Sequence, residues 1–144
     1  MRVFRRVLLV MVLTAALFVP GGLALAQPNV LTVDIGDGRL ISKGVAVDVP
    51  VTVVCENGSI SALFVSLRQR VSQGRIASGS GTGVSQLVPC TGEPQTFDVR
   101  VFPDTGSPAF KTGEALATVS VSVCDETTGE CVFPSFQPVI RVGK

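Results

Sequence analysis

The sequence predicts an all-β fold, specifically an immunoglobulin-like antiparallel β-sandwich of seven or eight strands with two disulfides. Three observations carry this prediction. Apolar residues alternate with polar ones in several segments, and turn residues separate these segments at intervals of about 8–12 residues. No segment shows a helical period with capping signals.

The clearest alternation covers residues 45–55. Its apolar side chains all fall on odd positions: Val45, Val47, Val49, Val51, Val53 and Cys55. Because successive side chains of a strand point to opposite faces, these residues form one apolar face, and Asp48, Thr52 and Glu56 point to the other. The same pattern predicts further strands within residues 63–71, 97–101, 118–123 and 136–142.

Turn residues lie between the predicted strands, at Asp37-Gly38, Asn57-Gly58, Gln73-Gly74, Gly92-Glu93-Pro94, Pro103 to Gly106 and Thr128-Gly129. The glycine run 79–83 has Gly at alternate positions, which favours a strand edge, a bulge or a close approach of two backbones. A phosphate-binding loop is the alternative for this run, but such a loop needs a following helix or a lysine that this segment lacks.

The first 26 residues have the parts of a secretory signal peptide in the required order. Three arginines precede the apolar run 7–19, and Ala24-Leu25-Ala26 ends the segment with small residues at the cleavage site. An uncleaved membrane anchor is the alternative, because residues 7–26 have about the 20 residues that a span needs. We expect cleavage near Ala26, a single β-sandwich domain over residues 27–144, and a secreted protein that meets a membrane only through its signal peptide during export.

The composition after residue 26 excludes most enzyme chemistry. Residues 27–144 contain no His, Trp, Tyr or Met, and they carry nine Lys or Arg against eleven Asp or Glu, a net charge of −2. No histidine or free thiol is expected to serve as base or nucleophile, and the spacing of the carboxylates picks out no glycosidase-like pair. We expect no catalytic residue, cofactor or metal site, and a chain this close to neutral predicts no nucleic-acid partner.

Four cysteines in an exported chain predict two disulfides. The favoured pairs are Cys55 with Cys90 and Cys124 with Cys131, because the second pair flanks residues 125–130 as the two ends of a hairpin. The alternative pairs Cys55 with Cys124, whose separation of 69 residues resembles the inter-sheet bridge of antibody domains. Parity counts against it, since Cys124 is out of phase with the inward residues of 119–123.

One charge asymmetry indicates a candidate binding surface. Residues 57–92 contain no Asp or Glu but include Arg68, Arg70 and Arg75, and even numbering places Arg68 and Arg70 on the strand face of Phe64. The candidate residues for binding an anion or an extracellular protein, wall or small-molecule partner are Phe64, Arg68, Arg70 and Arg75. The alternative is a solvated outer face whose charges discourage strand addition.

Segments 51–55, 88–94 and 119–131 resemble exported bacterial domains with a four-cysteine β-sandwich pattern, over most of residues 30–142. That resemblance implies a fold but no known activity. The chain is also similar to the neocarzinostatin-type apo-chromoproteins in mature length, export, two disulfides and a late hairpin that Cys124 and Cys131 would close. This second resemblance implies a small-molecule carrier. The chain departs from that family in the longer segment between Cys55 and Cys90 and in lacking Trp and Tyr to stack on a ligand.

These features predict a secreted, non-catalytic binding or structural module that acts at or outside the cell surface. Two other functions stay open. The protein would be a carrier if an apolar pocket formed near Phe64, Phe97 and Phe102. It would be an inhibitor of an extracellular hydrolase if the bridged loop 125–130 were presented as a rigid contact.

Overall fold

The computed structural model describes residues 28–144. These residues form one short 3₁₀ turn, Ser42–Gly44, and eleven strands: β1 (Asn29–Ile35), β2 (Gly38–Ile41), β3 (Ala46–Glu56), β4 (Ser59–Ser72), β5 (Arg75–Thr82), β6 (Val88–Pro89), β7 (Gln95–Pro103), β8 (Gly113–Cys124), β9 (Cys131–Val132), β10 (Ser135–Phe136) and β11 (Val139–Gly143). The predicted all-β class is confirmed. Within this part of the chain, no helix has the length and apolarity to span a bilayer. The predicted signal peptide lies outside the described residues.

Seven of these strands close into a ring, in which neighbours pair in the order β8, β11, β2, β3, β7, β5 and β4, and β4 pairs back to β8. The ladders are antiparallel except for a short parallel one between β2 and β11. β1 extends alongside β3, β6 beside β4, and β9 and β10 beside β8. The described sheet is therefore a closed barrel, and the finer prediction of an immunoglobulin-like sandwich stays a prediction.

The inside of the ring holds the core that the alternating pattern predicts. The inward side chains of the four longest ladder strands are buried: Val47, Val49, Val51, Val53, Cys55, Leu63, Val65, Leu67, Val99, Val101, Ala117, Val119, Val121 and Val123. Val45 is an exception to the prediction, because it precedes β3 and is 59% exposed. Burial of these branched side chains supplies most of the driving force for folding.

The loop between β7 and β8 is fixed to the barrel by two buried residues. Phe110 packs into the core, and its N–H donates to the carbonyl oxygen of Gly44 (3.1 Å). Gln69, an inward residue of β4, donates from Nε2 to the Lys111 carbonyl (2.7 Å) and accepts from the Lys111 N–H (2.8 Å). The Gln69 amide thus pairs with both the N–H and the carbonyl of Lys111, as the backbone of a neighbouring strand would.

Glycine allows β5 to approach β7. A Cβ atom at Gly79 or Gly81 would collide with the backbone carbonyl oxygens of Phe102 and Arg100, respectively. The two strands can pair only because these positions carry no side chain. The expected close backbone approach is therefore found at this glycine run, and it closes the ring.

Both favoured disulfides are confirmed. Cys55 is bonded to Cys90, and Cys124 to Cys131. The alternative pair Cys55 with Cys124 is wrong, because Cys55 lies inside the barrel while Cys124 lies on the outward side of β8. Two disulfides and no free cysteine within residues 28–144 are typical of a protein that matures in an oxidising environment.

Candidate functional site

Strand β4 carries three of the four residues predicted to form a binding surface. Phe64, Arg68 and Arg70 are exposed on its outward side. Arg75 is the first residue of β5, across the Gln73-Gly74 turn, where it pairs with Ser72 beyond an irregularity in the ladder. The structure thus places all four residues on one hairpin.

β4 lies between β5 and β8, so its outward side chains have neighbours on both sides. Arg68 is opposite Ser78 of β5 and Leu116 of β8, and Phe64 is opposite Thr82 and Ser120. We call the following outward side chains of β4 and β5 the β4 face: Phe64, Ser66, Arg68, Arg70, Ile76, Ser78, Ser80 and Thr82. Its composition is two arginines, two large apolar residues and four small hydroxyl residues.

Large apolar side chains on and beside the β4 face are open to solvent. Phe64 and Phe102 are each 54% exposed and Ile76 is 60% exposed, and Leu116 is also exposed. Single exposed apolar residues are normal on protein surfaces, whereas several around one face are typical of contact sites.

The arginines of the β4 face form no ion pair within the described residues. Within residues 28–144 both ion pairs are made by Asp48, and neither Arg68 nor Arg70 has a carboxylate oxygen within 4 Å. One acidic side chain reaches the face itself, because Ser78, which is opposite Arg68, donates from Oγ to Asp104 Oδ2 (2.8 Å). The face therefore keeps a local positive charge although the chain after residue 26 is slightly acidic.

A groove of about 380 Å³ runs over β5 beside the β4 face. Small residues of β5 form its floor, Phe64 of β4 lies on one side, and Arg100 and Phe102 of β7 lie on the other. The floor is low because Ser80 and Thr82 are short, and both residues line the groove. The groove thus offers aromatic, hydroxyl and guanidinium groups together.

Asp48 fixes the guanidinium of Arg100 beside this groove. Arg100 donates from Nε to Oδ1 (2.7 Å) and from Nη2 to Oδ2 (3.0 Å) of Asp48, and Arg39 donates to Oδ2 (3.3 Å). The hydrogen bond from Arg100 lowers the pKa of Asp48, burial opposes this change, and Arg39 adds to it. Asp48 in turn raises the pKa of Arg100. Although Asp48 lies on the outward side of β3, it is only 6% exposed, because the two arginines cover it.

The three phenylalanines predicted for a carrier pocket do not meet. Phe64 and Phe102 line the groove, whereas Phe97 packs against the core from the other face of β7. Since side chains alternate along a strand, positions 97 and 102 point to opposite faces. The predicted pocket is therefore wrong in including Phe97.

The loop between β8 and β9 is a second candidate contact. Asp125 Oδ1 accepts hydrogen bonds from the Thr127 hydroxyl (2.6 Å), the Thr127 N–H (2.7 Å) and the Thr128 N–H (3.2 Å). These bonds, that of the Thr127 hydroxyl first, lower the pKa of Asp125. The Asp125 N–H also donates to the Glu130 carbonyl (2.8 Å), so the loop is restrained within its disulfide.

A larger cleft, of about 690 Å³, lies where β2, β8 and β11 meet. Acidic Asp37 and Glu114 line it together with basic Arg39, Arg141 and Lys144. Because acidic and basic side chains line the cleft together, it favours neither an anionic nor a cationic ligand. Among residues 28–144, no group of three acidic or cysteine side chains is placed to hold a metal ion.

Sequence reasoning missed Arg100 as a neighbour of Phe64. The two residues are far apart in the chain and meet only because β5 joins β4 to β7. The glycine run 79–83 was the one signal of that junction.

Comparison of the chain with protein-family models and with curated proteins finds no match in either set.

Proposed function

We propose that this protein is an exported, non-catalytic binding module that attaches through the β4 face to a partner at or outside the cell surface. One observation carries the proposal: the outward side of β4 exposes Phe64, Arg68 and Arg70 with no carboxylate within 4 Å of the arginines. Aromatic residues and arginine are the types enriched at the energetic centres of interfaces. A surface held on a paired strand also loses little conformational freedom on binding.

Export is supported by the N-terminal segment and by the cysteines. The order of charged, apolar and small residues up to Ala26 is that of a cleaved signal peptide. Both disulfides are of the kind that oxidising compartments maintain. A bacterial extracellular protein agrees with the resemblance to exported four-cysteine domains.

The proposal includes an immunoglobulin-like sandwich, in which the barrel is flattened into two layers. One layer would contain β1, β2, β3 and β7, and the other β4, β5, β8 and the strands after it. Ladder lengths support this division. β3 pairs with β7 through seven residue pairs and β4 with β8 through nine, whereas β2 with β11 and β5 with β7 share two each. The hairpin closed by Cys124 and Cys131 also agrees with the likeness to apo-chromoproteins.

Attachment of purified protein to intact cells of its producing organism, and to their isolated surface material, tests the function. The double variant Arg68→Ala, Arg70→Ala should bind at least tenfold more weakly, because the loss of even one charge-assisted contact of about 1.5 kcal/mol weakens binding about tenfold. Lys111→Ala with Lys144→Ala is the matched control, since it removes the same two charges elsewhere. Equal loss in both double variants, or no loss in the first, would reject the β4 face.

A second candidate, inhibition of an extracellular hydrolase, is favoured by the restrained loop 125–130. A rigid loop enters an active site without a large ordering cost. Such an inhibitor should depress one member of a panel of extracellular proteases at stoichiometric amounts, and Asp125→Ala should relieve the inhibition. Full activity of the whole panel would remove this candidate.

A further inference from the structure

The groove over β5 and the arginines of the β4 face form one continuous track. Following β5 from Thr82 to Ile76, the groove residues come first, then Ser78 beside Arg68, and finally Ile76 beside Arg70. Six residue steps at about 3.3 Å each give a length of roughly 20 Å. A track of this length suits a linear polymer better than a single small ion.

The track is aromatic at one end and basic toward the other, with short hydroxyl side chains between them. Short hydroxyl side chains lie along its middle, with Phe64 and Phe102 at one end. Guanidinium groups lie beside it at Arg100, Arg68 and Arg70. Asp48 already neutralises part of the charge around Arg100, so the free positive charge is greatest at Arg68 and Arg70. Groups of this kind complement a polymer that carries anionic substituents, many hydroxyls and some apolar C–H surface.

A peptide fits this track poorly, because peptides usually bind to sheets by adding a strand to a free edge. The backbone of β5 pairs with β4 on one side and with β7 on the other. Beyond the β7 ladder, the Ser78 carbonyl accepts from the Asp104 N–H, and the Ser78 N–H donates to Ser107 Oγ. An extended peptide on top of the side chains would leave much of its own backbone without partners there, which is costly once water is excluded.

From these observations we infer that the track binds a linear acidic polysaccharide, carboxylated or sulfated. Its anionic groups would be held by Arg68 and Arg70, its hydroxyls by Ser78, Ser80 and Thr82, and its sugar faces by Phe64 and Phe102. The inference rests on the proposed function, since it names the partner class of the same face.

Isothermal titration of the disulfide-bonded protein with four polymers tests this inference: heparin, polygalacturonate, neutral dextran and poly-L-glutamate. We expect binding of heparin or polygalacturonate and none of dextran or poly-L-glutamate. Arg68→Ala with Arg70→Ala should weaken binding at least tenfold. Phe64→Ala should weaken it about fivefold, whereas Phe133→Ala, a control at a residue 71% exposed outside the track, should not.

Three results would overturn the inference. Poly-L-glutamate binding as tightly as the acidic polysaccharides would show that only charge is recognised. Dextran binding equally well would show that the arginines are not needed. Binding of none of the four polymers, with attachment to cells still dependent on Arg68 and Arg70, would leave the proposed function in place and reject the polysaccharide.

Discussion

Asp48 is the buried carboxylate of the described residues, and replacing it by asparagine should destabilise the fold. It joins three strands, because Arg39 lies on β2, Asp48 on β3 and Arg100 on β7. Asp48→Asn keeps the size of the side chain but removes the charge that holds both guanidinium groups. Each charge-assisted hydrogen bond contributes about 1.5–3 kcal/mol when sheltered. The guanidinium groups are over half exposed, which screens these bonds. We therefore expect a total loss of about 1–2 kcal/mol, or a Tm lower by about 5 °C.

Urea unfolding at two pH values separates the charge of Asp48 from its packing. The folded-state pKa of Asp48 is lowered, so its contribution is complete above the unfolded-state pKa and is lost as the pH falls through the folded-state pKa. The wild type should exceed Asp48→Asn in stability at about pH 7, and this difference should shrink at an acidic pH at which the folded-state carboxylate becomes protonated. Asp98→Asn, an exposed outward acid on β7, is the control and should change stability by less than about 0.5 kcal/mol. An equal difference between wild type and Asp48→Asn at both pH values would refute the role of the charge.

Three further predictions concern ring closure and the β8–β9 loop. In thermal melts, Gly81→Ala should destabilise the protein by about 1–3 kcal/mol, because the added Cβ meets backbone that cannot move aside. The control Gly143→Ala should leave stability unchanged, because the space around Gly143 is open. Replacing Cys124 and Cys131 together by alanine should cost about 2 kcal/mol by the loop-entropy relation, and an unchanged urea midpoint would contradict it. Asp125→Asn should speed amide hydrogen exchange in the loop at neutral pH. Because the pKa of Asp125 is lowered, the exchange rates of wild type and variant should become equal only when acidification protonates Asp125.

The long strands could be predicted from the sequence because each has one face in the core. The alternation of residues 45–55 and 118–123 gives both the strand and its inward side, and this parity counted against pairing Cys55 with Cys124. Val45 shows the limit of the pattern, since an apolar residue of the right parity can lie just outside the strand. β1 and β2 were not predicted as separate strands.

Closure of the ring could not be predicted with the same means. It depends on two short ladders, β2 with β11 and β5 with β7, whose residues carry little hydrophobic signal. The glycines of β5 indicated a close approach but not the strand approached. The role of Gln69 could not be predicted for a related reason. Its inward amide is satisfied only by the backbone of Lys111, whose position depends on the folded loop.

The candidate site likewise contains residues that the sequence could predict and residues that it could not. Parity alone places Phe64, Arg68 and Arg70 on one face, because all three lie on β4. Arg100 and Phe102 belong to the groove through tertiary pairing, which no local pattern reports. The burial of Asp48 beneath Arg39 and Arg100 likewise depends on which strands are neighbours, because the three residues lie on three different strands.

Hydroxyl-radical footprinting of the cell-bound protein tests the central claim most directly. Residues 27–144 lack Trp, Tyr, Met and His, so the phenylalanine rings are among the most reactive side chains outside the disulfides. Attachment through the β4 face should protect Phe64 and Phe102 from oxidation relative to the free protein, while Phe133 stays as reactive as before. Protection of Phe133 with unchanged oxidation of Phe64 and Phe102 would contradict the assignment of the binding surface to β4.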